Sequence, residues 1–295
     1  MDTKKTIFIF GKARLPDCKF GKKYIQLNKF IRCHIYVYIF NSLKIPHICC
    51  NKQYERGFFM KQTTDLEKIK SITTSLLHLP MKQTQFEFIV DHPIFQSPYW
   101  IDKENNMVDM RENEEALNKA YEEYEKKISS MTNPLSCMYI CRSAYFLTFL
   151  KFTRAYWSAD DFAIALSEAW VEEENPNGDI NVPISLSEKW FKKAPKEMLM
   201  NLDEYETYIS LPDSFTVYRG VGRGRNPEGM SWTDNLDSAK WFASRFGDDG
   251  YVIRGIVNKS DVLAYFSRRN ECEVVIPSDA VKEKSFIYQE ELIAV

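Results

Sequence analysis

The stretch Asn270–Pro277, NECEVVIP, sets Glu271 and Glu273 on either side of one cysteine, directly before an apolar run. Val274, Val275 and Ile276 read as a strand, and Glu271 and Glu273 stand at its entrance. Side chains alternate across a strand, so positions two apart share a face. Two like charges on one face repel unless something separates them or uses them. Either the pair is a solvated strand end, or the two carboxylates hold different jobs in one site.

Outward from this pair, the chain after Pro212 reads as strands: FTVYRGV (215–221), MSWT (230–233), GYVIRGIVN (250–258), DVLAYF (261–266), CEVVIP (272–277) and SFIYQEELIAV (285–295). One helix interrupts them, from Asn235 or Leu236 to about Phe246, with Asp234 and Asn235 as caps and Gly247 as its stop. Two motifs precede the glutamates. In Val217-Tyr218-Arg219-Gly220, a fixed cation ends an apolar strand beside a glycine that lets a ligand approach the backbone. In Ser231-Trp232-Thr233, two hydroxyls two apart share one face of a strand that runs into a helix.

The preceding half, 60–210, is mostly helical by its periodicity. Leu66, Ile69, Ile72, Leu76 and Leu79 mark a helix over 65–79, and Leu117, Tyr121, Tyr124 and Ile128 a charged one over 112–128. QFEFIV (85–90) alternates like a strand, and DHPIFQSPYW (91–100) is a proline-broken loop. Residues 135–157 are apolar almost all round, and Arg142, Lys151 and Arg154 make them a buried core helix rather than a membrane span. Ser158 caps the next helix, NPNGD (175–179) ends it, Ser185 and Glu188 form a capping box, and Pro195 opens another helix.

The 295 residues are 44% hydrophobic, enough for one large domain or two modest ones. The net charge of −2 hides a split, +9 over residues 1–59 and −11 over the rest. That first stretch is basic and cysteine-rich. Purine-rich codons for Glu55-Arg56-Gly57, just before Met60, suggest a bacterial ribosome-binding site and native translation from Met60. The alternative is a basic arm for an acidic partner. The odd cysteine number argues against a disulfide framework and for a reduced, cytoplasmic setting. Cys137 and Cys141 have helical spacing but no nearby His or Cys, so no metal is expected and both read as buried small residues. No apolar stretch reads as a signal peptide or membrane anchor.

Arg219, then Ser231-x-Thr233, then Glu271-x-Glu273 on successive strands resembles the R-S-E, arginine-type class of mono-ADP-ribosyltransferases, including bacterial and phage toxin-like members. The motifs cover about 212–280; the helical region resembles the start of such domains only loosely. The resemblance implies an α+β chain: a mostly helical N-terminal half (60–210), then a mixed or antiparallel β-sandwich of the ADP-ribosyltransferase fold as the catalytic core (211–295). Residues 110–295 would then form one domain. It implies NAD as substrate, with ADP-ribose passed to a macromolecular acceptor. Arg219 would bind the NAD phosphates and Gly220 would hydrogen-bond the nicotinamide amide through its backbone. Ser231 would hold Glu273, Thr233 would brace the strand, and Phe242 would stack on nicotinamide or sit in the core, the latter preferred. Glu273 would be the catalytic carboxylate, Glu271 would face the acceptor, and 265–270 would form the loop that meets it. Where that family has Ser-Thr-Ser, Trp232 fills the middle, on the face that packs into the sheet.

With a glutamate at Glu271, the resemblance implies a protein arginine as the favoured acceptor. A nucleobase is the alternative, because the 265–270 loop is basic and aromatic. Hydrolysis of NAD by water and a non-catalytic interaction module are the competing readings. An activity of this kind inside the producing cell also implies a cognate inhibitor or antitoxin.

Overall fold

The computed structural model describes residues 63–245, 247, 250–269 and 271–288. Expectations for residues 1–59, and for the end of the last strand, lie outside the described residues. The described residues belong to one compact unit.

Helix α1, Leu66–Leu77, starts where Asp65 accepts the Lys68 N–H at 3.0 Å. It buries Ile69, Thr73 and Leu77, while Leu79 lies beyond its end and is exposed. Thr73 can be buried because its hydroxyl donates to the Ile69 carbonyl at 2.8 Å. The expected strand over 85–90 does not form. Thr84 Oγ1 accepts from the Phe86 N–H at 3.1 Å and donates to the Ile89 carbonyl at 2.7 Å, which closes a turn. Phe86 and Phe88 consequently point to solvent. Only short ladders flank the turn: β1 (Lys82–Gln83) with β2 (Val90–Asp91), then β3 (Tyr99–Ile101) with β4 (Met107–Asp109). Helix α2, Glu114–Ser129, is capped by Asn113 and carries the expected stripe, with Ile128 at its buried end.

The expected single helix over 135–157 is two helices, α3 (Pro134–Tyr139) and α4 (Phe146–Thr153). Arg142 breaks it. Its backbone is extended, its N–H donates to the Pro93 carbonyl at 2.7 Å, and its guanidinium donates to the carbonyls of Val90 at 2.9 Å and His92 at 3.3 Å. A cation in an apolar run takes whatever carbonyls are near, at the expense of helical geometry. Helix α5, Ala159–Glu172, is capped by Ser158 and buries Phe162, Ala163, Ala165, Leu166, Ala169 and Trp170, so it runs through the core. Helix α6, Ile184–Lys193, starts after Pro183 without the Ser185–Glu188 box. The Pro183 carbonyl already takes the Leu186 and Ser187 N–H groups, and Glu188 pairs with Lys192 instead. Helix α7 (Lys196–Leu199) follows Pro195, and α8 (Leu202–Ser210) carries a complete capping box from Asn201 and Glu204.

The second half is strand-rich, so the chain is α+β. Its strands are β5 (Ser214–Val221), β6 (Ser231–Thr233), β7 (Tyr251–Asn258), β8 (Ala264–Phe266), β9 (Glu273–Val275) and β10 (Lys282–Tyr288), with α9 (Leu236–Ser244) after β6. A 3-10 turn at Lys259–Asp261 takes the start of the expected 261–266 strand. The six strands form one sheet, ordered β10-β7-β5-β6-β9-β8, with every pairing antiparallel. Its two three-stranded halves meet at a single register pair, Tyr218 with Thr233. Alternation along β5 sends Val217, Arg219 and Val221 toward the core shared with the helices, and Tyr218 toward a smaller core under α9. Among the described residues, no helix is long and apolar enough to cross a membrane.

Candidate functional site

The halves of the sheet part beyond the Tyr218–Thr233 pair, and a pocket opens there. All seven residues singled out from the sequence line it: Arg219, Gly220, Ser231, Thr233, Phe242, Glu271 and Glu273. They come from β5, β6, α9 and the entrance to β9.

Arg219 is 8% exposed. Its Nη1 donates to the Ser231 carbonyl, its Nη2 to the Asn226 carbonyl at 2.7 Å, and its buried Nε has no partner. The guanidinium therefore ties β5 to β6 and to the loop between them. Gly229 makes room for it, because a Cβ there would lie 2.2 Å from Arg219 Nη2. Burial lowers the Arg219 pKa to about 10, against the opposing charge of Glu273, so it stays a cation at neutral pH. Gly220 has a packing reason as well as a pocket position: a Cβ would lie 2.1 Å from the Ala239 carbonyl oxygen of α9. Phe242 is half-buried beside it, its ring edge-on to Trp241 at 4.9 Å.

The two glutamates meet in the pocket by a different route from the one alternation suggests. The strand begins only at Glu273, and Cys272 before it has φ of +48°. That left-handed residue turns the chain, and Thr233 Oγ1 secures the turn by donating to the Glu271 carbonyl at 3.0 Å. Thr233 itself pairs in register with Glu273. Trp232 is buried on the other face, its Nε1 donating to the Gly229 carbonyl at 3.1 Å.

Burial raises the Glu273 carboxyl above the ordinary carboxylate range, and the Glu271 charge adds to the rise. Hydrogen bonds from Ser231 and Trp170, and the charge of Arg219, oppose it. Trp170 Nε1 donates to Glu273 Oε1 at 2.9 Å. Burial also raises Glu271, offset by Arg269 and Arg245. Arg269 Nε lies 3.3 Å from Glu271 Oε1, and its Nη1 donates to the Val171 carbonyl at 2.9 Å.

Several lining residues carried no signal in the local pattern. Asn177 donates from Nδ2 to Ser231 Oγ at 2.8 Å and accepts the Met230 N–H at 2.6 Å. Glu174 pairs with Arg245 at 2.7 Å and stands 4.0 Å from Arg225. Glu173 is buried, and burial with the nearby charge of Asp179 pushes it up to about 8. Trp170 looks like any other apolar residue of α5, and Asn177 lies in a stretch that reads only as a helix stop.

The 265–270 loop does not offer free stacking faces. Tyr265 and Phe266 belong to β8 and are buried. Arg268 is engaged by Glu168 at 2.8 Å and by the fully buried Glu204 at 3.2 Å. Cys137 and Cys141 are buried in the helical core. Among the described residues, no group of three or more His, Cys, Asp or Glu side chains could hold a metal ion. Comparison of the chain with protein-family models, with curated proteins and with solved structures returned no match.

Proposed function

We propose that this protein is a mono-ADP-ribosyltransferase that cleaves NAD at the nicotinamide–ribose bond and passes ADP-ribose to a macromolecular acceptor, a protein arginine foremost, on a catalytic core of the ADP-ribosyltransferase fold. One observation carries the reading: residues chosen for their order in the sequence line a single pocket, with the carboxylates of Glu271 and Glu273 both on its wall. Four arginines and four glutamates line that pocket (Arg219, Arg225, Arg245, Arg269; Glu173, Glu174, Glu271, Glu273). Because Glu173 is pushed up to about 8, it is largely protonated at neutral pH and the balance tips positive, which suits a pyrophosphate. The amino groups of Arg219 are held by carbonyls and its Nε is buried, so its contribution to the phosphates is its charge; Arg225 and Arg245 are the more accessible cations.

In this reading the C1′–N bond breaks and its electron pair leaves with nicotinamide. Positive charge develops on C1′ and the ring oxygen. The Glu273 carboxylate accepts a hydrogen bond from the ribose 2′-hydroxyl, and that bond strengthens as the charge grows. The acceptor's lone pair then bonds to C1′, and its proton passes to Glu271. An enzyme of this kind acting in the cell that makes it calls for a cognate inhibitor.

The test is a parallel assay of free nicotinamide and of acceptor labelling with labelled NAD, in lysate and without it. Glu273→Gln should lower nicotinamide release by about two orders of magnitude or more. Glu271→Ala should keep slow hydrolysis of NAD and lose most of the transfer. Wild-type activity in Glu273→Gln, or equal loss of both signals in Glu271→Ala, overturns the assignment. Release of ADP-ribose with no labelled acceptor from the wild type indicates a hydrolase.

A further inference from the structure

We propose that Trp170 and Asn177, both from the helical half, are positioning residues that fix the orientation of the Glu273 carboxylate. The inference rests on the NAD-cleaving reading above for its catalytic consequence, though not for its geometry.

Trp170 is held rigidly. It is 1% exposed, and its ring meets Phe191 edge-on at 5.0 Å. Its only polar side-chain atom, Nε1, is committed to Glu273 Oε1 at 2.9 Å, across 103 residues of sequence. An indole N–H can only donate, so it favours the ionised carboxylate and pins one of its oxygens. The other oxygen is then the one left to turn toward a substrate hydroxyl.

Asn177 acts one step further back. Its Oδ1 accepts the Met230 N–H at 2.6 Å, which fixes which end of the amide is which. The Nδ2 end must therefore face Ser231 and donate to Oγ at 2.8 Å. A hydroxyl that already accepts from an amide keeps its own proton for another acceptor, and Ser231 lines the same pocket as Glu273. Asn177 thus positions Ser231, and the Ser231 side chain in turn favours the charged form of Glu273. The charged groups acting on Glu273 are Arg219 from β5 and Glu271 from the segment before β9. Glu173, Glu174, Arg225, Arg245 and Arg269 line the same pocket and are left unchanged in the variants below.

The experiment uses full-length protein with ¹³C-carboxyl glutamate. The Glu273 resonance is the one missing from Glu273→Gln, and its titration is followed in the wild type, Trp170→Phe and Asn177→Ala. Nicotinamide release is measured on the same samples. Trp170→Phe keeps an aromatic ring and removes the donor. Its Glu273 midpoint should rise by about half a pH unit or more, because a hydrogen bond to the charged form is lost. Its kcat should fall about tenfold, the KM for NAD should stay within about twofold, and the acidic limb of the rate profile should move to higher pH. Asn177→Ala should show the same pattern at about threefold. Folded variants with the wild-type midpoint and wild-type kcat overturn the proposal. If the wild type releases no nicotinamide, the NAD reading fails and the midpoint alone decides: a rise supports positioning, an unchanged value refutes it. If Trp170→Phe does not fold, the half-buried Asn177 decides between the same two outcomes through Asn177→Ala.

Discussion

Glu173 shows how a single buried carboxyl leaves a signature on the whole chain's pH behaviour. It is 6% exposed, accepts the Leu147 N–H at 3.3 Å, and is pushed up to about 8 by burial and by the charge of Asp179. The unfolded chain releases that proton near the ordinary value of about 4.5, so between those limits the folded state binds more protons than the unfolded one. Its contribution to stability therefore falls as pH rises through the window and is fully lost above about 8. Glu173→Gln cannot ionise. Well above pH 8 it should be more stable than the wild type by on the order of 3–5 kcal/mol, and nearly equal to it below about pH 4.5. Melting temperatures across pH check this, and parallel profiles for the two proteins would refute it. The same scale explains which site residues are legible in the sequence. Arg219, Ser231, Thr233, Glu271 and Glu273 lie on or beside strands whose local pattern announces them. Trp170 and Asn177 reach them across 103 and 54 residues, a distance at which no spacing rule applies.

At the scale of the element, α9 depends on glycines beneath it. A Cβ on Gly220 would lie 2.1 Å from Ala239 O and 2.7 Å from Ala243 N, both backbone atoms that cannot swing aside. Gly220→Ala should cost about 1–3 kcal/mol of unfolding free energy. Gly222→Ala, whose Cβ first meets atoms at 3.4 Å, should cost less than about 1 kcal/mol. Urea midpoints compare them, and equal effects would show that α9 can shift. Elements with strong local signals were legible: α2 with its cap and stripe, α5 behind Ser158, α9 behind Asn235, and the six strands of the sheet. The departures from expectation share a cause. At 85–90 the Thr84 hydroxyl closes a turn on an alternating sequence. At 140–142 Arg142 trades a helical turn for three carbonyls. At 183–188 a proline carbonyl starts the helix before the serine cap can. In each case a side chain or carbonyl outside the periodic pattern decided the backbone.

Across the whole molecule, the helical half and the sheet share one core, running from Ile69 through Trp157, Phe162 and Trp170 to Phe266 and Val281. Arg268, following β8, is tied to Glu168 of α5 and Glu204 of α8. Residues 63–288 should therefore unfold as one cooperative unit, with tryptophan fluorescence and far-ultraviolet dichroism giving coincident urea transitions. Separated transitions would mean that the halves hold together only loosely. Within that common core the sheet is stitched unevenly. Eight register pairs join β5 to β7, three join β6 to β9, and one joins β5 to β6. In mechanical terms the molecule is stiff on either side of a compliant joint, and the pocket lies along it. A guest wedged there would load one backbone pairing and the Arg219 bond to the Ser231 carbonyl, and leave the ladders that carry Arg219 and Glu273 in register. The weakest join in the sheet is thus also the one place where it can yield without losing its alignment.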